Sequence, residues 1–296
     1  MRRGLWITVV FLAAGALLCG IGGIVICEGA IRVPHHAVGS MPIAGRAVEI
    51  GASDGAVLRG WLLSPEHPNG DCVIALHGIA DTRSGALGLA RLFLDHGYTV
   101  LIPDNRAHGE SGGGIITYGL RETGDVHQWV DWLVRTERPR NVFGIGESLG
   151  GAVLLDSLAV EPRFSAVVAE CSFATFQGVA VERVAQKLPV PAGIGKLLAE
   201  PLVWTAFFYA RSKYGIDYRG VSPLAAVEKT ATPILFIHGM ADDKTSPAHS
   251  QRLAAANPRA VTLWLVPNAG HIGAYGAAPD EFARRVLNWF STHARN

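Results

Sequence analysis

The sequence has few charged residues and no strong excess of either sign. Charged side chains make up 17% of its 296 residues, and the formal net charge is only +1. Such a chain offers no basic surface for a polyanion, so we expect no nucleic-acid partner. Apolar residues make up 49% of the chain, which excludes the intrinsically disordered class.

Cysteine is also scarce, with four residues in the whole chain. Cys19 and Cys27 lie in an apolar segment, whereas Cys72 and Cys171 lie in or beside apolar, strand-like runs. These positions do not form the framework of a disulfide-rich domain, and their spacing does not match that of a metal site. Cysteine usage therefore leaves the cellular compartment open.

One long hydrophobic run stands near the N-terminus. Residues 5–27 carry no charge and are about as numerous as those of a bilayer-spanning helix. Arg2 and Arg3 precede the run and favour a cytoplasmic N-terminus. Residues 1–30 are therefore predicted to be a single-pass membrane anchor, with the rest of the chain on the periplasmic or extracellular side. A cleaved signal peptide is the alternative, since Ala14-Gly15-Ala16 resembles a cleavage site, but the apolar run continues past it.

After the apolar run, residues 31–45 are predicted to be a linker, because Pro34, Gly39, Pro42 and Gly45 interrupt regular structure. Residues 46–296 then show short apolar runs that alternate with amphipathic segments. This alternation predicts an α/β domain with a mostly parallel central sheet and helices on both faces. The predicted strands cover residues 47–50, 57–63, 72–77, 99–102, 141–145, 164–169, 234–238 and 261–266. The predicted helices cover residues 87–96, 122–134, 148–159 and the C-terminal region, and the first two strands are predicted to form an antiparallel pair.

Residues 172–223 depart from this alternation. They contain no clear strand and are rich in Leu, Val, Trp and Phe. We expect a helical insertion at the carboxyl edge of the sheet, where such sheets have their binding crevice. A lid over that crevice is the favoured interpretation, and additional core helices without a role in binding are the alternative.

The segment Gly146-Glu147-Ser148-Leu149-Gly150 follows a predicted strand and opens a predicted helix. This is the setting of the G-x-S-x-G nucleophile elbow, in which small flanking residues let strand and helix approach closely. Ser148 is then exposed at a helix N-terminus, where N–H groups and the helix dipole favour developing negative charge. Ser148 is thus the predicted nucleophile, and a glycine-rich turn without chemistry is the alternative.

A serine nucleophile needs a base, and the elbow pattern places an acid and then a histidine later in the chain. His271 lies in a loop just after the last predicted strand, which makes it the best placed of the 11 histidines. Asp242 and Asp243 follow the preceding strand, and one of them is expected to orient the histidine. Glu170, at the end of another strand, is a less favoured acid.

An oxyanion hole needs two backbone N–H donors. One is predicted at Leu149, directly after the nucleophile. The other is predicted at Ile79, in the loop His77-Gly78-Ile79 after a buried strand. A simple strand-ending turn is the alternative for this loop.

Together these residues resemble the α/β-hydrolase superfamily over nearly everything from Ala47 to the C-terminus. The resemblance implies that Asp242 rather than Asp243 is the acid, because the family usually places it three residues after the glycine of a His-Gly pair. It also implies structural rather than catalytic roles for Arg106 and His108. A closer similarity, to the prolyl-oligopeptidase-like bacterial branch with its membrane-anchored members, is carried by residues 222–239. The superfamily motifs are Leu76-His77-Gly78, Asp104-Asn105-Arg106-Ala107-His108-Gly109-Glu110-Ser111, Gly146-Glu147-Ser148-Leu149-Gly150-Gly151 and His238-Gly239-Met240-Ala241-Asp242.

The sequence therefore predicts a serine hydrolase that cleaves carboxylic esters through an acyl-enzyme, with neither a metal nor an organic cofactor. The apolar insertion and the membrane segment favour a small-molecule substrate with a hydrophobic acyl group. A serine peptidase of the prolyl-oligopeptidase-like type is one alternative. An inactive hydrolase-fold binding protein is the other.

Overall fold

A computed structural model of the protein describes residues 2–41 and 44–295. The chain divides into two compact units. The larger comprises Val33–Thr175 and Val221–Asn296, and the smaller comprises the chain up to Arg32 together with Phe176–Gly220. In the predicted linker, Pro42 lies outside the described residues. Gly45, predicted as a linker residue, is instead the first residue of a strand, because it pairs in register with Leu63.

The larger unit is built on one eight-stranded sheet. Its strands are β1 (Gly45–Gly51), β2 (Val57–Leu63), β3 (Cys72–Leu76), β4 (Thr99–Pro103), β5 (Val142–Glu147), β6 (Phe164–Glu170), β7 (Ile234–Gly239) and β8 (Val261–Val266). The strand order is β1-β2-β4-β3-β5-β6-β7-β8. The pairs β1–β2 and β2–β4 are antiparallel, and the other pairs are parallel. The mostly parallel sheet and the antiparallel first pair predicted from the sequence are both confirmed.

Helices account for most of the remaining chain. In chain order they are α1 (Arg2–Ile31), α2 (Leu87–Leu94), α3 (Glu122–Thr136), α4 (Leu149–Ser157), α5 (Phe176–Lys187), α6 (Ala192–Tyr214), α7 (Pro223–Val227), α8 (Ala248–Ala256), α9 (Ala274–Ala277) and α10 (Pro279–Thr292), with a 3₁₀ turn at Tyr218–Gly220. Helices α1, α5 and α6 belong to the smaller unit, and the others flank the sheet.

The central strands are buried along their whole length. Every residue of β3, β6 and β7 is buried. Parallel strands covered by helices have no solvent-facing side, which is why these segments read as continuous apolar runs. Strand β3 ends at Leu76, one residue earlier than predicted, and His77 begins the loop that follows.

Helix α10 packs against the strand that leads to the predicted nucleophile. Its residues Phe282, Val286 and Phe290 are fully buried and lie on one face of the helix. The ring of Phe290 stacks on Phe143 of β5 with centroids 4.5 Å apart, and on Phe93 of α2 at 5.6 Å. Aromatic pairs of this kind contribute about 0.5–1.5 kcal/mol beyond their area burial. The C-terminal helix therefore stabilises the position of β5.

The smaller unit is helical. The segment Leu12–Ile31 of α1 is long and apolar enough to cross a membrane, with a mean hydropathy of 1.9. Helices α5 and α6 lie within residues 172–223, the segment for which no strand was predicted. The rings of Phe176 and Phe207 stack with centroids 5.6 Å apart and join these two helices. The role of this segment as a lid stays a prediction.

Candidate active site

Ser148 occupies a sharp turn between β5 and α4. Its backbone has φ 52° and ψ −113°, a conformation that costs a non-glycine residue about 1–3 kcal/mol and persists only where the surroundings impose it. A Cβ atom at Gly146 would lie 2.5 Å from the carbonyl oxygen of Gly150, and one at Gly150 would lie 2.3 Å from that of Leu76. Both contacts are too short for any side chain, so glycine is required on either side of the serine.

The structure brings Ser148, His271 and Asp242 into one hydrogen-bonded series. Nε2 of His271 is 2.9 Å from Oγ of Ser148, and Nδ1 is 2.8 Å from Oδ2 of Asp242. A carboxylate only accepts, so Nδ1 carries the ring proton and Nε2 of the neutral ring is free to accept from the serine hydroxyl. This is the arrangement in which a base can activate a serine nucleophile.

The Asp242 carboxylate is fully buried and receives four hydrogen bonds. Oδ1 accepts from the N–H groups of Lys244 at 2.8 Å and Thr245 at 2.9 Å. Oδ2 accepts from His271 and lies 3.2 Å from Nε2 of His238. Burial acts to raise the pKa of Asp242, but the hydrogen bonds from His238 and His271 outweigh it and hold that pKa well below its usual range. Asp242 is therefore an anion held in a fixed orientation.

The two other candidate acids have different surroundings. Asp243 is exposed, whereas Asp242 is buried. Oε1 of Glu170 accepts a hydrogen bond from the backbone N–H of Ala274 at 3.0 Å. That bond ties the loop after His271 to the end of β6. Of the three carboxylates, the structure thus places Asp242 on Nδ1 of His271.

The loop after β3 lies directly beside Ser148. A Cβ atom at Gly78 would be 3.5 Å from Cβ of Ser148. Nε2 of His77 accepts from the N–H of Asn105 at 3.0 Å, so Nδ1 carries the proton and donates to the carbonyl of Gly78 at 2.7 Å. In a trans peptide the N–H points opposite to the C=O, so this bond sets the direction of the Ile79 N–H. Burial lowers the pKa of His77 to about 3 and keeps the ring neutral.

The other predicted oxyanion donor, the N–H of Leu149, lies at the start of α4. Leu149 is the first residue of that helix, and the first N–H groups of a helix have no acceptor within it. The N–H of Ser148 itself donates to the carbonyl of Glu170 at 2.8 Å, which fixes the turn to β6.

Three residues that contact this group of side chains and loops were not singled out for those contacts in the sequence. His77 and Asn105 hold the loop of Ile79, and His238 contacts the carboxylate of Asp242. Each lies in a motif that marks the family, and both histidines come at or just after a strand end and directly before a glycine. This shared pattern, a histidine before a glycine at a strand end, could have indicated His77 and His238 from the sequence.

The loop after β4 is stabilised by buried ion pairs. The guanidinium of Arg106 makes two bonds to Asp125, at 2.8 and 2.6 Å. Arg83 pairs with Asp104 at 2.7 Å, and Asp104 also accepts from the N–H of Glu110. Arg106 therefore has a structural partner, as the resemblance implies.

Among the described residues, one group has the geometry to hold a metal ion. It consists of Cys171, His238 and Asp242, whose potential ligand atoms lie within 4.8 Å of one another. Both nitrogens of His238 already have partners, since Nδ1 lies 2.6 Å from Ser250 Oγ and Nε2 lies 2.9 Å from the carbonyl of Thr245. Ligation would break these bonds and the bonds of Asp242, so the group fits a hydrogen-bonded core better than a metal site.

A pair of carboxyl groups lies next to Ser148. Glu147 and Glu170 are register partners at the ends of β5 and β6. Burial raises the pKa of Glu170 to about 7, and burial together with the charge of Glu170 raises that of Glu147 to about 8. An unfolded glutamate ionises near 4.5. The stability contributed by the protonated pair is therefore complete below that pH and is lost as pH rises through about 7 to 8.

We expect Glu147→Gln to raise the thermal unfolding midpoint at pH 9 and to leave it nearly unchanged at pH 4.5, because glutamine cannot ionise. The midpoint of the full-length protein in detergent, followed by circular dichroism across this range, measures the effect. The matched control Glu66→Gln, at an exposed carboxylate, should show no such trend. An equal shift for Glu147→Gln at both pH values would contradict the assignment.

Comparison with known proteins defines the class. The sequence model of the alpha/beta hydrolase family matches residues 73–285, and the chain belongs to that family. Among curated proteins, it is 31% identical over 232 residues to the uncharacterized protein YqkD of Bacillus subtilis (strain 168), covering 77% of this chain and 73% of that protein.

Solved structures show the same fold. The Pyrococcus furiosus esterase Pf2001 superposes with a TM-score of 0.72 at 23% identity, over 88% of this chain and 98% of that one. The Pyrococcus horikoshii acylaminoacyl peptidase superposes with a TM-score of 0.63 at 16% identity, over 83% of this chain and 41% of that longer one.

Proposed function

We propose that the protein is a serine hydrolase that cleaves carboxylic ester bonds through an acyl-enzyme on Ser148. The observation that carries the proposal is the series of hydrogen bonds from Ser148 through His271 to Asp242, with the half-buried serine in a strained turn at a helix N-terminus. A binding protein needs no such combination of nucleophile, base and acid. The likeness to an esterase supports the same class of reaction.

The proposed mechanism is acyl transfer to water. His271 removes the proton from Ser148 as Oγ attacks the ester carbonyl, and Asp242 stabilises the imidazolium that forms. The N–H groups of Leu149 and Ile79 bind the oxyanion. His271 then protonates the leaving alcohol, and in the second half-reaction it activates the water that releases the acid from Ser148. No step requires a metal or an organic cofactor.

The proposed substrate is a small molecule with a hydrophobic acyl group. Support comes from the apolar segment of α1, which we propose as a single-pass anchor. Arg2 and Arg3 before that segment favour a cytoplasmic N-terminus and hence a catalytic unit on the periplasmic or extracellular side. An enzyme held at a membrane meets lipid-like esters at high local concentration. The helices of residues 172–223 are proposed as the lid.

A serine peptidase is the second candidate. It is favoured by the likeness to the acylaminoacyl peptidase and by the motifs of residues 222–239. That likeness covers less than half of the peptidase chain, so it argues for the shared hydrolase fold more than for a shared substrate.

Turnover of two substrate series by the full-length protein in detergent separates these functions. We expect kcat/KM for p-nitrophenyl esters to rise from acetate to medium-chain acids, with little cleavage of acylaminoacyl p-nitroanilides. Cleavage of the anilides without that of the esters would contradict the ester proposal and favour the peptidase. If neither the esters nor the anilides are cleaved, the ester-hydrolase and the peptidase proposals are both contradicted.

His238 provides a further test, because its contact orients the acid. Nε2 faces the carbonyl of Thr245, so it carries the proton and shares it with Asp242. We expect His238→Gln to lower kcat/KM for an ester by about tenfold or more, since a hydrogen bond to a charged group contributes about 1.5–3 kcal/mol.

The control for His238→Gln is Ser250→Ala, which removes the partner of Nδ1 and leaves the contact with Asp242 in place. We expect a smaller loss for this variant. A folded His238→Gln protein with unchanged kcat/KM and an unchanged pH profile would contradict a positioning role.

A further inference from the structure

Helix α6 carries a stripe of large, exposed apolar side chains. Leu197, Trp204 and Phe208 are 70%, 47% and 72% exposed, and Ile194 and Leu198 extend the stripe toward the N-terminus of the helix. Leu197, Trp204 and Phe208 are seven and four residues apart, which at 3.6 residues per turn places them on one side of the helix. Exposed apolar patches of this kind mark contacts with a membrane or another protein.

Helix α6 packs against α1 as well as α5, and α1 and α6 run parallel. Cys19 of α1 lies 3.5 Å from Thr205 of α6 (Sγ to Oγ1), and Glu28 of α1 lies 2.8 Å from Lys213 of α6 (Oε1 to Nζ). The later residue of α1 thus meets the later residue of α6, so both helices point in the same direction. Between these levels, a Cβ atom at Gly23 would lie 2.6 Å from Cβ of Thr205. Close approach at small residues is how helices associate inside membranes.

Toward their C-terminal ends, α1 and α6 both carry polar residues, and these residues contact one another. Glu28 of α1 accepts hydrogen bonds from Tyr209 at 2.8 Å, Lys213 at 2.8 Å and Tyr214 at 2.5 Å. Arg32 donates to the same carboxylate at 3.1 Å. Tyrosines and cations of this kind concentrate where a membrane helix meets water. On the N-terminal side of this belt of polar residues (Glu28, Arg32, Tyr209, Lys213 and Tyr214), the exposed side chains that the structure describes on α1 and α6 are mainly apolar.

We propose that α6 is a second membrane-contacting element, whose stripe lies against the acyl chains of the leaflet from which α1 emerges. The proposal rests on the proposed function of α1 as an anchor. From Leu197 to Phe208 the stripe is about 16 Å long at 1.5 Å per residue, about half of the ~30 Å hydrocarbon core. Lipid is the favoured occupant because α1, which packs directly against α6, also exposes large apolar side chains, among them Leu17, Leu18 and Ile21.

Two charged residues of α6, Lys196 and Glu200, lie on the N-terminal side of the belt, and both fit a stripe that contacts lipid. Lys196 pairs with Glu182 of α5 at 3.6 Å and lies to one side of the stripe, as the helical period requires. Glu200 borders the stripe. Both charged side chains therefore flank the stripe and leave it uninterrupted.

Site-specific quenching in vesicles tests the proposal. The full-length protein is reconstituted in vesicles of phosphatidylcholine and phosphatidylglycerol and carries an environment-sensitive NBD label at one introduced cysteine. Leu197→Cys and Phe208→Cys report on the stripe and Leu18→Cys reports on α1. Gln251→Cys, at an exposed position of α8, is the matched control. The unsubstituted chain supplies the background from the native cysteines. Two quenchers are compared, nitroxide on the lipid acyl chain and iodide in the water.

We expect the labels at positions 18, 197 and 208 to be quenched by the nitroxide lipid, with iodide quenching constants several-fold below that at position 251. Lipid quenching at position 18 with iodide quenching at 197 and 208 would overturn the inference and leave the anchor intact. Iodide quenching at all four positions would overturn both the inference about α6 and the proposed anchor role of α1. Protection of positions 197 and 208 from both quenchers would mean that protein covers the stripe, which also overturns the inference.

Discussion

Replacement of Ser148 by alanine is expected to lower kcat for ester hydrolysis by on the order of 10⁶-fold, the loss found when the nucleophile of another serine triad is removed. The reason is chemical, because methyl cannot attack a carbonyl while the oxyanion donors and the fold stay in place. The backbone strain at this position is the same for alanine as for serine, so the Ser148→Ala protein should fold like the wild type. Turnover of a medium-chain p-nitrophenyl ester by the full-length protein measures the effect.

Labelling with a fluorophosphonate gives an independent readout of the same residue. The wild-type protein should become covalently labelled, and Ser148→Ala should not. Ser291→Ala, at an exposed serine of α10, is the control and should label like the wild type. Folded wild-type protein that does not label, or equal labelling of Ser148→Ala, would contradict the proposed nucleophile.

Asp242→Asn is expected to lower kcat by on the order of 10⁴-fold, as the same exchange does in another triad. The amide of asparagine donates to Nδ1 of His271 instead of accepting from it. The ring proton then moves to Nε2, which can no longer accept the proton of Ser148. The hydrogen bonds to the N–H groups of Lys244 and Thr245 can persist through the remaining amide oxygen, so the loop should keep its geometry.

The neighbouring residue provides a matched control. Asp243→Asn changes the same charge one residue away, at an exposed position. We expect kcat within a fewfold of the wild-type value. A large loss for Asp243→Asn with near-normal activity of Asp242→Asn would reverse the assignment of the acid.

Much of the site was predictable because its parts are local. Gly146, Ser148 and Gly150 specify a strand–turn–helix junction through the space that each position allows, and the structure shows why no side chain fits at either glycine. The central strands were predictable for a similar reason, since burial on both faces leaves a short continuous apolar run. Strand boundaries were close, with β3 ending one residue early at Leu76.

The supporting contacts were not predictable, because they join residues far apart in the chain. His77 meets Asn105 across 28 positions, and the loop of His271 is tied to Glu170 across 104. Neither periodicity nor spacing reports which side chains become neighbours when strands assemble in the order β4-β3-β5-β6. The choice between Asp242 and Asp243 likewise depended on the family resemblance, since two adjacent carboxylates in a loop look alike in sequence.

By itself, the sequence determined the class of fold, the strained serine turn and a long apolar N-terminal segment, because each depends on residues that are close neighbours in the chain. The tertiary structure decided which carboxylate meets His271, which histidine supports it and that α1 lies parallel to α6. The physical reason is that hydrogen bonds and helix contacts act over about 3 to 4 Å in space, whatever the separation along the chain.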